Sequence, residues 1–159
     1  ITEKYGITKE QSEENRAAIQ ERGKKLDFDF NFNDESRMRN SFDAHRLLHW
    51  AHLEGKQAEL KAALFKAHFT HNQDVSDYTI LSKIAASVDL DPSAAKGVLE
   101  SGQYKEEVKK LEQHWQQSGI NSVPTVVINN KYAITGGQPA ESFKQALEEI
   151  LESERNATE

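Results

Sequence analysis

Gly119-Ile120-Asn121-Ser122-Val123-Pro124-Thr125 runs directly into Val126-Val127-Ile128, and this stretch decides the fold. A proline at the mouth of a β-branched run can open a strand but cannot donate to its ladder. The ring also forces Val123 towards an extended backbone. The run that Thr125 begins stops at Asn129-Asn130, and a second one, Tyr132-Ala133-Ile134-Thr135, follows before Gly136-Gly137. The pattern predicts a β-hairpin with a two-residue polar turn, a glycine break serving the turn, and then a helix opened by Pro139. Phe143, Leu147, Ile150 and Leu151 mark the expected buried stripe of that helix.

Upstream, the chain is helical in pattern. Thr8 with Gln11 forms a capping box that opens a polar helix to Arg22, closed by Gly23. Its few apolar positions (Ile7, Ala17, Ala18, Ile19) place it on the surface, weakly held. Asn40 or Ser41 caps a helix through Glu54, ended by Gly55, and another spans Gln57 to Phe69. Ser76 or Asp77 caps the next, to Val88, and Asp91-Pro92 opens a short one to Leu99. Gln103 to Ser118 reads as a longer helix, with Tyr104, Val108, Leu111 and Trp115 at three- and four-residue steps and Gly119 as its stop.

Between the first two helices, Leu26-Asp27-Phe28-Asp29-Phe30-Asn31-Phe32-Asn33 alternates apolar and polar. Period two puts Leu26, Phe28, Phe30 and Phe32 on one face of an extended segment that must press against something. One of these phenylalanines could also line a substrate groove. A calcium loop fails here. The sixth position counted from Asp27 is Phe32 rather than glycine, and the twelfth is Met38 rather than glutamate.

Composition bounds the function. The 159 residues are 36% hydrophobic and 29% charged, with a formal net charge of −6. That is one domain's worth of acidic, globular chain with no membrane-length apolar run. No basic stripe is present to neutralise phosphates, which argues against a nucleic-acid partner, and no membrane partner is expected. His45, His49 and His52 share one narrow sector of a helix, at i, i+4 and i+7, and His68 and His71 form a second close pair. A zinc site would need further ligands converging from elsewhere. A polar boundary on a largely apolar helix accounts for the stripe, and no metal ligand is assigned. A further option sets one histidine near a redox centre.

A helix followed by Gly-x-x-x-Val-Pro-Thr, a hairpin and a terminal helix resembles the C-terminal half of a thioredoxin-type fold. Together with Asn40-Ser41-Phe42-Asp43-Ala44-His45-Arg46-Leu47-Leu48 and Thr135-Gly136-Gly137-Gln138-Pro139, the chain resembles the FrnE-type branch of the DsbA family. These are thiol–disulfide oxidoreductases with a helical insertion. The resemblance implies an α/β, thioredoxin-like (DsbA-type) fold that is mostly helical in this chain. Residues 1–159 would form one domain, with a helical insertion over 36–118 and the C-terminal thioredoxin-like half over 119–154. It also implies a cis proline and a substrate site at Ser122, Val123, Pro124, Thr125 and Gln138. Val123 would offer its N–H and C=O to an extended peptide, with Pro124 fixing the loop beside the reactive sulfur.

The chain has no cysteine. Thiol–disulfide exchange needs a thiolate, so no catalytic residue can be named in it. Ile1-Thr2-Glu3-Lys4-Tyr5-Gly6 reads as a helix end stopped by glycine. The expectation is therefore that a strand and a Cys-x-x-Cys helix precede these residues in a longer protein. This chain alone would be inert in that chemistry. The resemblance further implies no cofactor, a protein or small-molecule thiol or disulfide substrate, and a cytoplasmic location. With the front of the sheet missing, self-association, for example as a homodimer, is expected of the isolated chain unless absent residues cover it.

Two other families of function share features with this chain. The kappa-class glutathione transferases and 2-hydroxychromene-2-carboxylate isomerases have the helical insertion and the Val-Pro loop. They follow the late strand with an aromatic-Gly-x-Asp-Arg pattern, where this chain has Thr135-Gly136-Gly137-Gln138-Pro139. A cysteine-free peptide-binding module is the non-enzymatic alternative.

Overall fold

The computed structural model describes residues 8–33 and 36–156. The helix end expected over Ile1–Gly6 and the apolar Ile7 lie outside them. The chain divides into two compact units, one up to Val108 and one from Lys109 onward.

The first unit is all helix and extended segment. Helix α1 spans Lys9–Lys24, and its capping box is formed. Thr8 Oγ1 accepts from the Gln11 amide at 3.2 Å while Gln11 Oε1 accepts from the Thr8 amide at 2.9 Å. Of its sixteen residues only Gly23 is buried, as a polar surface helix requires. The phenylalanine segment is extended but pairs with no strand. Asn31 instead donates its amide to Phe69 O at 2.9 Å, and Thr70 Oγ1 donates to Asp29 O at 2.6 Å.

Phe28, Phe30 and Phe32 form a row with ring centroids 4.7 and 5.7 Å apart, and Phe30 meets Phe69 edge-on at 5.4 Å. Leu26 departs from the expected face and is 80% exposed. Asp27 takes a left-handed φ of 54°, which breaks the extended alternation before it reaches Leu26.

Helices α2 (Phe42–Leu53), α3 (Gln57–Phe65), α4 (Tyr78–Ala86) and α5 (Pro92–Ser101) build the core. The starts of α2, α4 and α5 are set by short polar side chains. Asn40 Oδ1 accepts from Phe42 N at 3.0 Å, Asp77 Oδ1 from Ile80 N at 2.9 Å, and Asp91 Oδ1 from Ser93 N and Ala94 N at 2.7 and 2.8 Å. Leu47, Leu60, Leu81 and Leu99, from these four helices, are fully buried. Each such leucine stabilises the unit by about 1.5–3 kcal/mol.

Two details differ from the sequence expectation. The helix from Gln57 does not stay α to Phe69; it widens to a π-helix over Lys66–Thr70. Helix α6 begins at Lys105, not Gln103, because Tyr104 adopts φ of 60° ahead of it and packs its side chain against the core.

The second unit contains the later turns of α6 (Lys105–Gln117), strands β1 (Thr125–Ile128) and β2 (Tyr132–Thr135), and helix α7 (Ala140–Asn156). The strands are antiparallel, with Thr125 opposite Thr135 and Ile128 opposite Tyr132. Three residues therefore make the turn, not two. Lys131 N donates to Ile128 O at 3.1 Å across Asn129 and Asn130, both at positive φ, and Lys131 stays outside the ladder. The stripe expected on α7 is also displaced. Phe143, Ala146, Ile150 and Glu154 are the half-buried positions, whereas Leu147 and Leu151 are 45% and 57% exposed. A two-stranded sheet covers only a narrow line along a helix, so the flanking leucines stay outside it.

Candidate substrate-binding loop

The loop begins where α6 ends. Gly119, at φ of 82°, donates to Gln116 O, and Ile120 N donates to Trp115 O, each at 3.0 Å. These two bonds form a Schellman stop, which satisfies the last carbonyls of the helix and turns the chain sharply. Asn121 Nδ2 reaches back to Gly119 O at 3.3 Å.

From here the expected site residues are brought together. Thr125 Oγ1 donates to Ser122 O at 2.8 Å, closing a turn around Val123 and Pro124. The Val123–Pro124 peptide bond is cis. Pro124 O accepts from Gly136 N at 2.8 Å, continuing the β1–β2 ladder by one step. Gln138 Nε2 donates to Thr135 O at 3.1 Å, so it fastens the end of β2, the residue opposite Thr125.

Within this frame Val123 stands apart. It is 90% exposed, and among the described residues neither its amide nor its carbonyl has a hydrogen-bond partner. The carbonyls on both sides are occupied, that of Ser122 by Thr125 and that of Pro124 by Gly136. At Val123 the loop thus presents a free donor and a free acceptor side by side, with no ionisable side chain from Gly119 to Thr125. Such an edge can add one residue of an extended chain. Gly136 was legible as a turn glycine, but its role as the donor that anchors Pro124 depends on a strand pairing no local pattern displays.

The histidine stripe lies on α2, in the first unit. His45 and His52 are exposed, and His49 is half-buried with its ring 5.0 Å from that of Tyr104. Among the described residues no three His, Asp or Glu side chains gather to hold a metal ion. Elsewhere in the second unit, the hairpin is tied to α7 by charge. Lys131 Nζ and Tyr132 Oη both lie 2.9 Å from Glu154 Oε1. The lysine pKa is raised by its contacts with the Tyr132 hydroxyl and the Glu154 carboxylate, and the Glu154 carboxyl is held below its usual range by Lys131 and Tyr132.

The α-helical core, the cis-proline loop and the hairpin with its terminal helix define a DsbA-like thioredoxin fold. The chain belongs to the DSBA-like thioredoxin domain family, whose model matches residues 2–148. It is similar to YwbO of Bacillus subtilis strain 168, with 29% identity over 133 residues that make up 83% of this chain and 66% of that protein. Among solved structures it is similar to a probable DsbA oxidoreductase from Streptomyces coelicolor. That match has 30% identity and a TM-score of 0.84, over 92% of this chain and 63% of the other. A candidate protein disulfide isomerase from Nitrosomonas europaea, at 20% identity and a TM-score of 0.72, covers 92% of this chain and 76% of its own, and shares the fold. The chain thus spans just under two thirds of the length of the first two of these relatives.

Proposed function

We propose that the protein to which this chain belongs is a thiol–disulfide oxidoreductase or isomerase of the DsbA family, in its FrnE-type branch. The observation that carries this is Val123, whose free amide and carbonyl sit beside Pro124 in a loop fixed from both sides. A substrate strand pairs with that residue, which aligns its sulfur with a cysteine thiolate. The thiolate comes from residues outside this sequence, which has no cysteine of its own.

The thiolate attacks one sulfur of the substrate disulfide, the S–S bond breaks, and the other substrate sulfur leaves as a thiolate. A second cysteine of the protein then attacks the resulting mixed disulfide, releasing the reduced substrate and leaving the protein oxidised. Run in reverse, the same steps oxidise a dithiol. Val123 and Pro124 position, while Ser122, Thr125 and Gln138 hold the loop's shape. The Thr135–Pro139 sequence, in place of aromatic-Gly-x-Asp-Arg, favours this over the glutathione-transferase alternative. A cytoplasmic location belongs to the same proposal, and cell fractionation tests it.

Insulin reduction driven by dithiothreitol tests the function. The complete protein should precipitate insulin catalytically and the 159-residue chain should not. Dithiothreitol-dependent turnover by this chain, or none by the complete protein, overturns the proposal.

A further inference from the structure

A concavity lies wholly inside the first unit, and its chemistry has nothing to do with sulfur. It is a cavity of about 300 Å³ between α1, the phenylalanine segment and the π-helix. That volume is at the lower end of what small-molecule sites use. Ile19, Phe32, Met38 and Phe69 supply apolar walls, and Arg16 and His68 are among the polar groups that line it. Met38 is 65% exposed.

Three observations bear on what would fill it. The Arg16 guanidinium sits 6.0 Å over the Phe32 ring and has no carboxylate partner among the described residues. Arg39, on the same cavity, is already committed to Asp74 at 3.1 Å. His68 Nδ1 is buried without a hydrogen-bond partner among the described residues, an arrangement that costs free energy. His68 and Phe69 also sit in the π-helix, a distortion that recurs at functional sites. Arg16 thus lies over an aromatic face with no carboxylate partner among the described residues. Its complement is a negative charge on a flat apolar body.

We propose that this cavity binds a small organic anion of the aromatic carboxylate class. The carboxylate pairs with Arg16, and the ring packs against Phe32 and Phe69. The site shares no residue with the Val123 loop and stands whether or not the thiol chemistry does.

Isothermal titration of the full chain with 2-naphthoate, and with the neutral 2-naphthamide as comparator, tests it. The expected result is saturable one-to-one binding of the naphthoate, at least tenfold tighter than the amide. Arg16→Gln should weaken the naphthoate at least tenfold and leave the amide within about twofold. Met38→Glu, at an exposed wall position where folding is not at stake, should also weaken the naphthoate at least tenfold. Circular dichroism confirms that each variant is folded. Absence of saturable naphthoate binding, equal affinity for the amide, or indifference to both substitutions overturns the proposal.

Discussion

Arg46 Nη1 donates to Asp43 Oδ1 at 2.6 Å, one turn back along α2, from a side chain that is only 3% exposed. The same guanidinium donates through Nε to Gln103 O at 2.7 Å and through its Nη groups to the carbonyls of Val98 and Leu99. Those carbonyls lie at the end of α5 and just beyond, where a helix runs out of its own amides. Arg46 therefore caps α5 from a different helix, and Tyr78 Oη at 3.2 Å satisfies the other oxygen of Asp43. Replacing Arg46 by methionine should destabilise the chain by about 3–5 kcal/mol, because the carboxylate and the carbonyls lose their donors together. Arg46→Lys should recover only part of this, since an ammonium cannot fork to three carbonyls. Urea unfolding measures both. Tyr78→Phe serves as the milder probe, with a loss of about 0.5–1.5 kcal/mol expected. A loss below about 1 kcal/mol for Arg46→Met would refute the capping role.

Arg46 also marks the limit of what the sequence discloses. An arginine among Ala44, Leu47 and Leu48 looks like a surface position, and its burial depends on carbonyls some fifty residues later. Local chemistry was legible: the Thr8–Gln11 box, the Asp77 and Asp91 caps and the Gly55 and Gly119 stops all form as their side chains dictate. The cis-proline loop was legible through its resemblance to a family, with Ser122 to Thr125 contiguous in the chain. What failed was non-local or conformational. The π-helix at Lys66–Thr70, the left-handed Tyr104 and the third turn residue Lys131 depend on backbone angles that no periodicity encodes. The α7 stripe shifted because its partner surface is narrower than a helical pattern assumes.

Gly23 fixes how α1 meets the phenylalanine row. A Cβ there would lie 2.5 Å from Phe30 Cδ2 and 2.6 Å from Phe28 O, and backbone cannot yield as a side chain tip can. Gly23→Ala should therefore cost about 1–3 kcal/mol despite alanine's better helix propensity. The strain falls on the junction, where Gln20 Nε2 also donates to Phe30 O. Limited proteolysis should cut the variant between α1 and α2 sooner than the parent, and equal digestion rates would count against this.

The Lys131–Tyr132–Glu154 contact predicts a pH window for docking of the hairpin on α7. Glu154 has a depressed pKa, so its contribution is present above the unfolded carboxylate value of about 4.3 and is lost as pH falls through the folded value. Lys131 has a raised pKa, so its contribution is present below about 10.4 and is lost as pH rises through the folded value. Amide exchange in β2 should accordingly be slowest, relative to its intrinsic rate, between those limits. Glu154→Gln should flatten both limbs. An unchanged profile in that variant would remove the contact as their cause.

Val126, Leu147 and Leu151 leave apolar surface on the second unit, and among the described residues no third strand covers the edges of the sheet. The chain should self-associate in a concentration-dependent way, visible by light scattering behind a sizing column. Leu147→Glu with Leu151→Lys should shift the population towards monomer without loss of helical signal. A parent chain that stays monomeric across the accessible concentration range would show that this surface is tolerated in water.

Gly136 fixes the shape of the loop proposed above to bind substrate. Its φ of 86° is left-handed, and its amide is the donor that holds Pro124 O at 2.8 Å. A Cβ there would lie 3.4 Å from Gln138 Nε2, the end of an exposed side chain that can move, so backbone strain dominates. Gly136→Ala should cost about 1–2 kcal/mol in stability. In the thiol–disulfide oxidoreductase proposed above, the consequence should fall on binding. If Val123 only positions the substrate, the variant raises KM for a peptide disulfide while kcat stays within about twofold, the signature of lost uniform binding. Gln138→Ala, which removes the bond to Thr135 O without touching Gly136, should do the same more weakly. Loss of kcat at unchanged KM in both variants would instead place the loop in the sulfur chemistry itself.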